Sequence, residues 1–255
     1  MKRIVFIILT LFLVFINISS EASSSIMTKE LKVVSVDGFN ITANFMYPKI
    51  KKQKEFKTVV LLHSLGYSSQ WWGDFPKKLL NDGYAVLTID LRGHGNSIYN
   101  SKLVKTSWKN LTNKAYLKYP QDVISVINYI KEENTKKVFF DDWAIVGCDI
   151  GASTGILVAD KLTVKPKTIV IIDPVVKAKE LYVPVSIAQL DGVDFLAITS
   201  NNDLTSKKAS AYLKKFAQNS YFELFSDSKA SGMVMLKNDP NVLGVVEKWL
   251  GQYLN

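Results

Sequence analysis

The residues best suited to chemistry cluster in one stretch, Trp143 to Ser153, which reads WAIVGCDIGAS. An apolar run, Ala144-Ile145-Val146, enters a Gly147-x-x-x-Gly151 frame, and the small residues Ala152, Ser153, Thr154 and Gly155 follow. This is the layout of a nucleophile elbow, in which a strand turns sharply into a helix and the glycines clear space around one strained, exposed side chain. The frame for a serine nucleophile is Gly-x-Ser-x-Gly, but the central residue here is Asp149. An aspartate that attacks a substrate forms an ester, and a base must then activate water to release it. The chain has two histidines, His63 and His94, and both precede the elbow. Cys148 lies one position too early to stand at the turn and reads as a small buried hydrophobe ending the strand. Ser153 sits in a second Gly-x-Ser-x-Gly match about one turn into the helix, where a small residue permits close helix–sheet packing.

The flanking elements must build the sheet that carries that turn. Leu31 to Val36 and Ile41 to Tyr47 alternate at period two around Asp37-Gly38, the pattern of a β-hairpin. Thr58 to His63, Ala85 to Asp90 and Thr168 to Ile172 are continuous apolar runs, as strands buried on both faces require. Asp194 to Thr199 and Tyr221 to Phe225 read as further strands. Helices are expected over Phe75–Asn81, Tyr119–Glu133, Leu204–Gln218 and Val242–Tyr253, the second carrying Val123, Val126, Ile127 and Ile130 on one face. Strands alternating with helices predict an α/β fold, a mostly parallel doubly wound sheet with an N-terminal β-hairpin. The span from Pro174 to Asp191 is too short for a large lid domain.

Lys2 and Arg3 precede an apolar run from Ile4 to Ile18, and Ser20-Glu21-Ala22 supplies small residues for cleavage. The run is shorter than the ~20 residues that span a bilayer comfortably. Residues 1–22 are therefore expected to be a signal peptide, 23–255 one exported domain (periplasmic or extracellular), and no membrane span is expected after cleavage. The formal net charge is +9, but the lysines are scattered rather than interleaved with aromatics. They read as a soluble, lysine-rich surface and not as a nucleic-acid site. Cys148 is the only cysteine, so no intramolecular disulfide forms.

Further landmarks fall in a set order. His63-Ser64-Leu65-Gly66 closes one buried strand, Asp90-Leu91-Arg92-Gly93-His94-Gly95-Asn96-Ser97 closes the next, the elbow follows a helix, and Asp203 follows a later strand. In this order they resemble the α/β-hydrolase superfamily, especially its compact esterase and dienelactone-hydrolase-like members, over essentially the whole mature chain. The resemblance implies a nucleophile on the elbow, a histidine, an orienting carboxylate and two oxyanion-binding backbone amides. It assigns the nucleophile position to Asp149, the acid position to Asp203 and the oxyanion amides to Leu65 and Ile150. In Asp227–Met233 it puts Ser231 where the histidine belongs. His63 and His94 fall in structural motifs of the family; His63, Trp71, Trp72 and Ser153 are candidates to line a pocket. Two of three triad positions thus depart from the pattern. The chain is expected to be a pseudo-hydrolase that binds a small molecule in its vestigial pocket or a partner on its surface, with no cofactor or metal. The alternative is a weak or unconventional hydrolase of small esters using Asp149 or Ser153.

Overall fold

The computed structural model describes residues 26–50 and 52–254. The expected signal peptide, residues 1–22, lies outside the described residues.

The chain opens with β1 (Ile26–Val34) and β2 (Asn40–Pro48), antiparallel about the Asp37-Gly38 turn, with Val34 opposite Asn40. β1 begins five residues earlier than the alternation of Leu31–Val36 indicates and stops at Val34, because backbone pairing with β2 extends to Ile26 opposite Pro48. β3 (Thr58–Leu62), β4 (Ala85–Ile89), β5 (Trp143–Cys148) and β6 (Thr168–Ile172) are buried at every residue. Two-residue strands β7 (Lys177–Ala178) and β8 (Leu181–Tyr182) form a small separate hairpin. β9 (Asp194–Ser200) and β10 (Tyr221–Ser226) complete an eight-stranded sheet of order β1-β2-β4-β3-β5-β6-β9-β10. β1, β2 and β4 pair antiparallel, and all other neighbours in the sheet pair parallel.

Helices cover both faces. They are α1 (Phe75–Asn81), α2 (Asn113–Tyr116), α3 (Tyr119–Glu133), α4 (Ile150–Lys161), α5 (Pro184–Ala188), α6 (Leu204–Leu213), α7 (Gly232–Asn238) and α8 (Pro240–Tyr253). α3 keeps the bounds its periodicity predicts, whereas the helix expected over Leu204–Gln218 ends at Leu213 and tightens into a 3-10 turn over Lys214–Phe216. α7 escapes periodicity analysis because seven residues give barely two turns.

Alternate residues of each strand feed opposite layers. Val60, Leu62 and Ile145 face the core under α3 and α4, while Val59, Leu61 and Val146 face that under α1 and α8. The β5–α4 corner is the tightest contact in this packing. A Cβ on Gly151 would lie 2.3 Å from the Leu62 carbonyl oxygen, and one on Gly147 would lie 2.5 Å from the Ala152 Cα. Both obstacles are backbone, so neither yields without moving a strand or helix. Gly151→Ala is therefore expected to cost about 2 kcal/mol or more and to lower the midpoint of thermal unfolding by roughly 4–8 °C for a domain of this size. Circular dichroism melting checks this.

Candidate functional site

The elbow forms as a strained turn. Asp149 follows β5 with φ 51° and ψ −115°, a backbone state that L-residues adopt at a cost of order 1–3 kcal/mol. Its amide donates to the Ile172 carbonyl at 2.9 Å, and its own carbonyl accepts the Ser153 amide as α4 begins. The side chain then turns back toward the loop after β3. Asp149 Oδ2 accepts hydrogen bonds from the Leu65 amide at 3.3 Å and from the Ser64 hydroxyl at 3.2 Å. One of the two amides assigned to an oxyanion is thus engaged by the elbow carboxylate itself.

Neither imidazole is available as a base. The His63 ring is buried, contacts the Ser64 carbonyl through Nδ1 at 2.8 Å and accepts the Leu91 amide through Nε2 at 3.0 Å. His94 repeats the arrangement with the Arg92 carbonyl at 3.1 Å and the Gly66 amide at 2.9 Å. Each ring is therefore a neutral Nδ1–H tautomer whose only lone pair is already taken by a backbone N–H. Burial lowers both from the ordinary histidine range, His63 to about 4. The two rings lie 5.0 Å apart and clamp the loop after β3 to the loop after β4.

Other expected residues differ in their surroundings. Asp203 caps the start of α6, accepting the Ser206 amide at 2.9 Å. Ser231 is exposed ahead of α7 and makes no side-chain capping bond. The residue aimed at the elbow is its neighbour: a Cβ on Gly232, at φ +58°, would stand 3.5 Å from Asp173 Oδ2, 3.7 Å from Cys148 Sγ and 3.9 Å from Ser64 Oγ. Ser153 is buried and donates to the Asp149 carbonyl at 3.3 Å, locked inside α4. Cys148 is buried at the end of β5, and burial, reinforced by Asp173 and Asp149, pushes its thiol well up. Trp71 and Trp72 line a different cavity, an open groove of about 670 Å³ shared with Phe75, Lys78, Leu236 and Lys237. Trp71 is exposed there, while Trp72 is buried and packs toward Phe75.

Asp173 is the site residue the sequence reading missed. It follows β6 directly, at the carboxyl end of the strand next to the elbow strand, and adopts φ 57°. That position is itself the signal, since ligands of open α/β sheets gather at the carboxyl ends of the strands. Burial first, then the Asp203 and Asp149 charges, push Asp173 up to about 7, and none of the charges acting on it is positive. Its Oδ1 is buried without a hydrogen-bond partner among the described residues, which favours the neutral form of the carboxyl group. Asp149, Asp173 and Asp203 therefore form one acidic site. Among the described residues, no group of three or more His, Cys, Asp or Glu has the geometry to hold a metal ion.

Sheet order, elbow and loops together define an α/β-hydrolase. More narrowly, residues 53–242 match the family described as serine aminopeptidase, S33, and the chain belongs to that family. Solved structures with the same fold include a dienelactone hydrolase from Anabaena variabilis, 15% identical, with a TM-score of 0.65 over 89% of this chain and 99% of that one. An esterase from Pyrococcus furiosus is 16% identical, with a TM-score of 0.65 over 90% and 92% of the two chains. An acetyl xylan esterase from Paenibacillus sp. R4 is 14% identical, with a TM-score of 0.69 over 92% and 86%. No curated protein sequence matches the chain.

The titrations of Asp173 and His63 have opposite effects on stability. Raised from 3.8 to about 7, Asp173 contributes stability that is present below pH ~4 and lost as pH rises through about 7. Lowered from 6.5 to about 4, His63 contributes stability that is present above pH ~6.5 and lost as pH falls through about 4. Asp173→Asn removes the first effect and keeps the second. The variant is expected to be more stable than wild type at pH 8 by roughly 1–3 kcal/mol, to lose that advantage near pH 4, and to show a steeper acid decline. Urea titrations across pH 4–8 measure it.

Proposed function

We propose that this chain is an exported α/β-hydrolase-fold protein that has exchanged catalysis for binding. The observation that carries this reading is the hydrogen bond from the Leu65 amide to Asp149 Oδ2. A substrate carbonyl oxygen would need that donor as charge develops on it, and here a resident negative charge already holds it. Two further observations support the reading. Both histidines spend their acceptor nitrogens on backbone amides, and the position that faces the elbow from α7 is glycine. The exported location rests on the charged and apolar pattern of residues 1–22.

The acidic site favours a small ligand bearing an ammonium or other cationic group. Such a ligand would offset the burial and the Asp203 and Asp149 charges that raise Asp173, and its donors would meet the oxygens of Asp149 and Asp173. No cofactor is needed for this role.

A second reading has a specific observation behind it: the strained elbow is kept, and the fold is shared with esterases. In that reading Asp149 Oδ1 attacks the carbonyl carbon of a small ester and expels the alcohol, which takes up a proton; water activated by an unidentified base then splits the mixed anhydride, releasing the acid and restoring the carboxylate. Ser153 is a poorer nucleophile, since its hydroxyl is buried and bonded to the Asp149 carbonyl.

Turnover of short-chain nitrophenyl esters by the mature domain, wild type beside Asp149→Ala, separates the two readings. The binding reading expects no rate in wild type above that of the variant, and no labelling by a fluorophosphonate serine probe. A wild-type rate at least tenfold above the variant would establish the hydrolase, and labelling at Ser153 would do the same by another route.

A further inference from the structure

The end of the sheet that carries the elbow also carries a surface which neither the site nor the fold accounts for. No acidic residue lies between Asp90 and Asp122, whereas Lys102, Lys105, Lys109, Lys114 and Lys118 do, and all five are exposed. In the middle of this stretch the chain doubles back, Tyr99 pairing with Lys105 and the Thr106 amide donating to the Ile98 carbonyl at 2.7 Å. Leu103 and Val104 stand at the tip, 77% and 55% exposed, between Lys102 and Lys105.

This tip is built rather than loose. Asn100 Oδ1 accepts the amides of Lys102 at 3.0 Å and Val104 at 2.9 Å, and its carbonyl accepts the Leu103 amide at 2.9 Å. Leu103 is held at φ 59°, a region where glycine or asparagine is at ease and a leucine is strained. An exposed turn therefore combines a strained backbone with a large apolar side chain directed at solvent, and both features oppose the stability of the isolated domain. The Ser101 amide bonds the Gly38 carbonyl and the Asn40 amide bonds the Tyr99 carbonyl, which seats this turn beside the β1–β2 turn. There Val36 and Val34 are 72% and 58% exposed. The acid of that turn, Asp37, is neutralised by a two-pronged pair with Arg92. Because β2 runs antiparallel to β4, with Ala43 opposite Ile89, both turns lie at the end of the sheet where Asp149 follows β5.

We propose that the Ile98–Thr106 turn docks this domain on an anionic lipid bilayer, Leu103 and Val104 entering the interface while the flanking lysines meet acidic headgroups. Apolar tips ringed by cations fit that boundary, where the side chains reach the acyl region and each amine stays with phosphate. A bilayer also suits the charge pattern better than a protein partner, since acid-free basic surfaces gain most from a continuous sheet of negative charge. The orientation turns the elbow end of the sheet toward the membrane. The proposal is independent of whether the elbow is catalytic.

Sedimentation with vesicles tests it, using the domain from residue 23 onward, which contains every element of the described fold and lacks the apolar N-terminal run. Probe vesicles are phosphatidylcholine with or without 30 mole percent phosphatidylglycerol. Binding to the anionic vesicles is expected, at least tenfold tighter than to the neutral ones and weakened by salt. Lys102→Gln with Lys105→Gln should weaken it roughly 30-fold, from about fivefold per lysine. Leu103→Ser with Val104→Ser should weaken it at least tenfold while leaving the melting temperature unchanged. Cys148 is buried, so Leu103→Cys offers a single accessible thiol for an environment-sensitive fluorophore, whose emission should shift to the blue on anionic vesicles. No binding, equal binding to both vesicle types, or a lysine-dependent association that ignores Leu103 and Val104 would each overturn the proposal, the last by pointing to a soluble polyanion.

Discussion

The molecule is organised by the corner between β5 and α4. Gly147 and Gly151 let α4 lie almost in contact with the backbone of β3 and β5, and that closeness forces the residue between them into a left-handed backbone. Whatever occupies position 149 is therefore displayed beyond the carboxyl end of the sheet, beside the Leu65 amide. A serine there would leave the amide waiting for a substrate oxygen. An aspartate, one carboxyl oxygen longer in reach, takes the amide for itself. The strain at the corner is thus retained, and part of it is offset by a charge-assisted hydrogen bond that a serine cannot make.

The same economy of backbone groups explains the two histidines. Each imidazole bridges two loops by contacting a carbonyl at Nδ1 and accepting an amide at Nε2, so the ring substitutes for a pair of backbone hydrogen bonds across a gap that no strand spans. Protonation would turn the Nε2 acceptor into a donor facing another donor, which is why burial and geometry both hold these rings neutral. Arg92 completes the bracing beneath them. Its guanidinium grips Asp122 of α3 through Nε and Nη2 and Asp37 of the first turn through Nη1 and Nη2, with all four contacts between 2.7 and 2.8 Å. Most of the Asp90–Ser97 segment thus serves to fix the loops on which the site is mounted.

Much of this was legible in the residues. The buried parallel strands announce themselves as unbroken apolar runs, α3 as a clean 3.6 period, and the elbow as glycines in a fixed frame around Asp149. What escaped were features decided by geometry in three dimensions. Asp173 looks like an ordinary polar residue after a strand until β6 is known to lie beside β5, whereupon its carboxyl group falls among Asp149 and Asp203. Gly232 follows the position assigned to the histidine, yet its positive φ directs the missing Cβ at Asp173 and leaves Ser231 facing outward. α7 was hidden by its brevity, and the true start of β1 by pairing that its own alternation does not encode.

On the reading proposed for this chain, the departures from a hydrolytic site reinforce one another. With glycine at 232, no side chain extends from that position toward Asp173 Oδ2, and burial together with the Asp203 and Asp149 charges raises Asp173. With no imidazolium formed during turnover, a second and third carboxylate can accumulate without a catalytic penalty, and the region becomes one that attracts positive charge instead of stabilising negative charge. Restoring a serine at 149 alone would vacate the Leu65 amide but provide no base. Adding a histidine at 232 would place its Cβ 3.5 Å from Asp173, which could orient it, but would impose φ +58° on a side chain that disfavours it. On the proposed reading, the elbow, the base and the backbone that would present the base have each moved away from hydrolysis, and each change removes the cost of keeping the others.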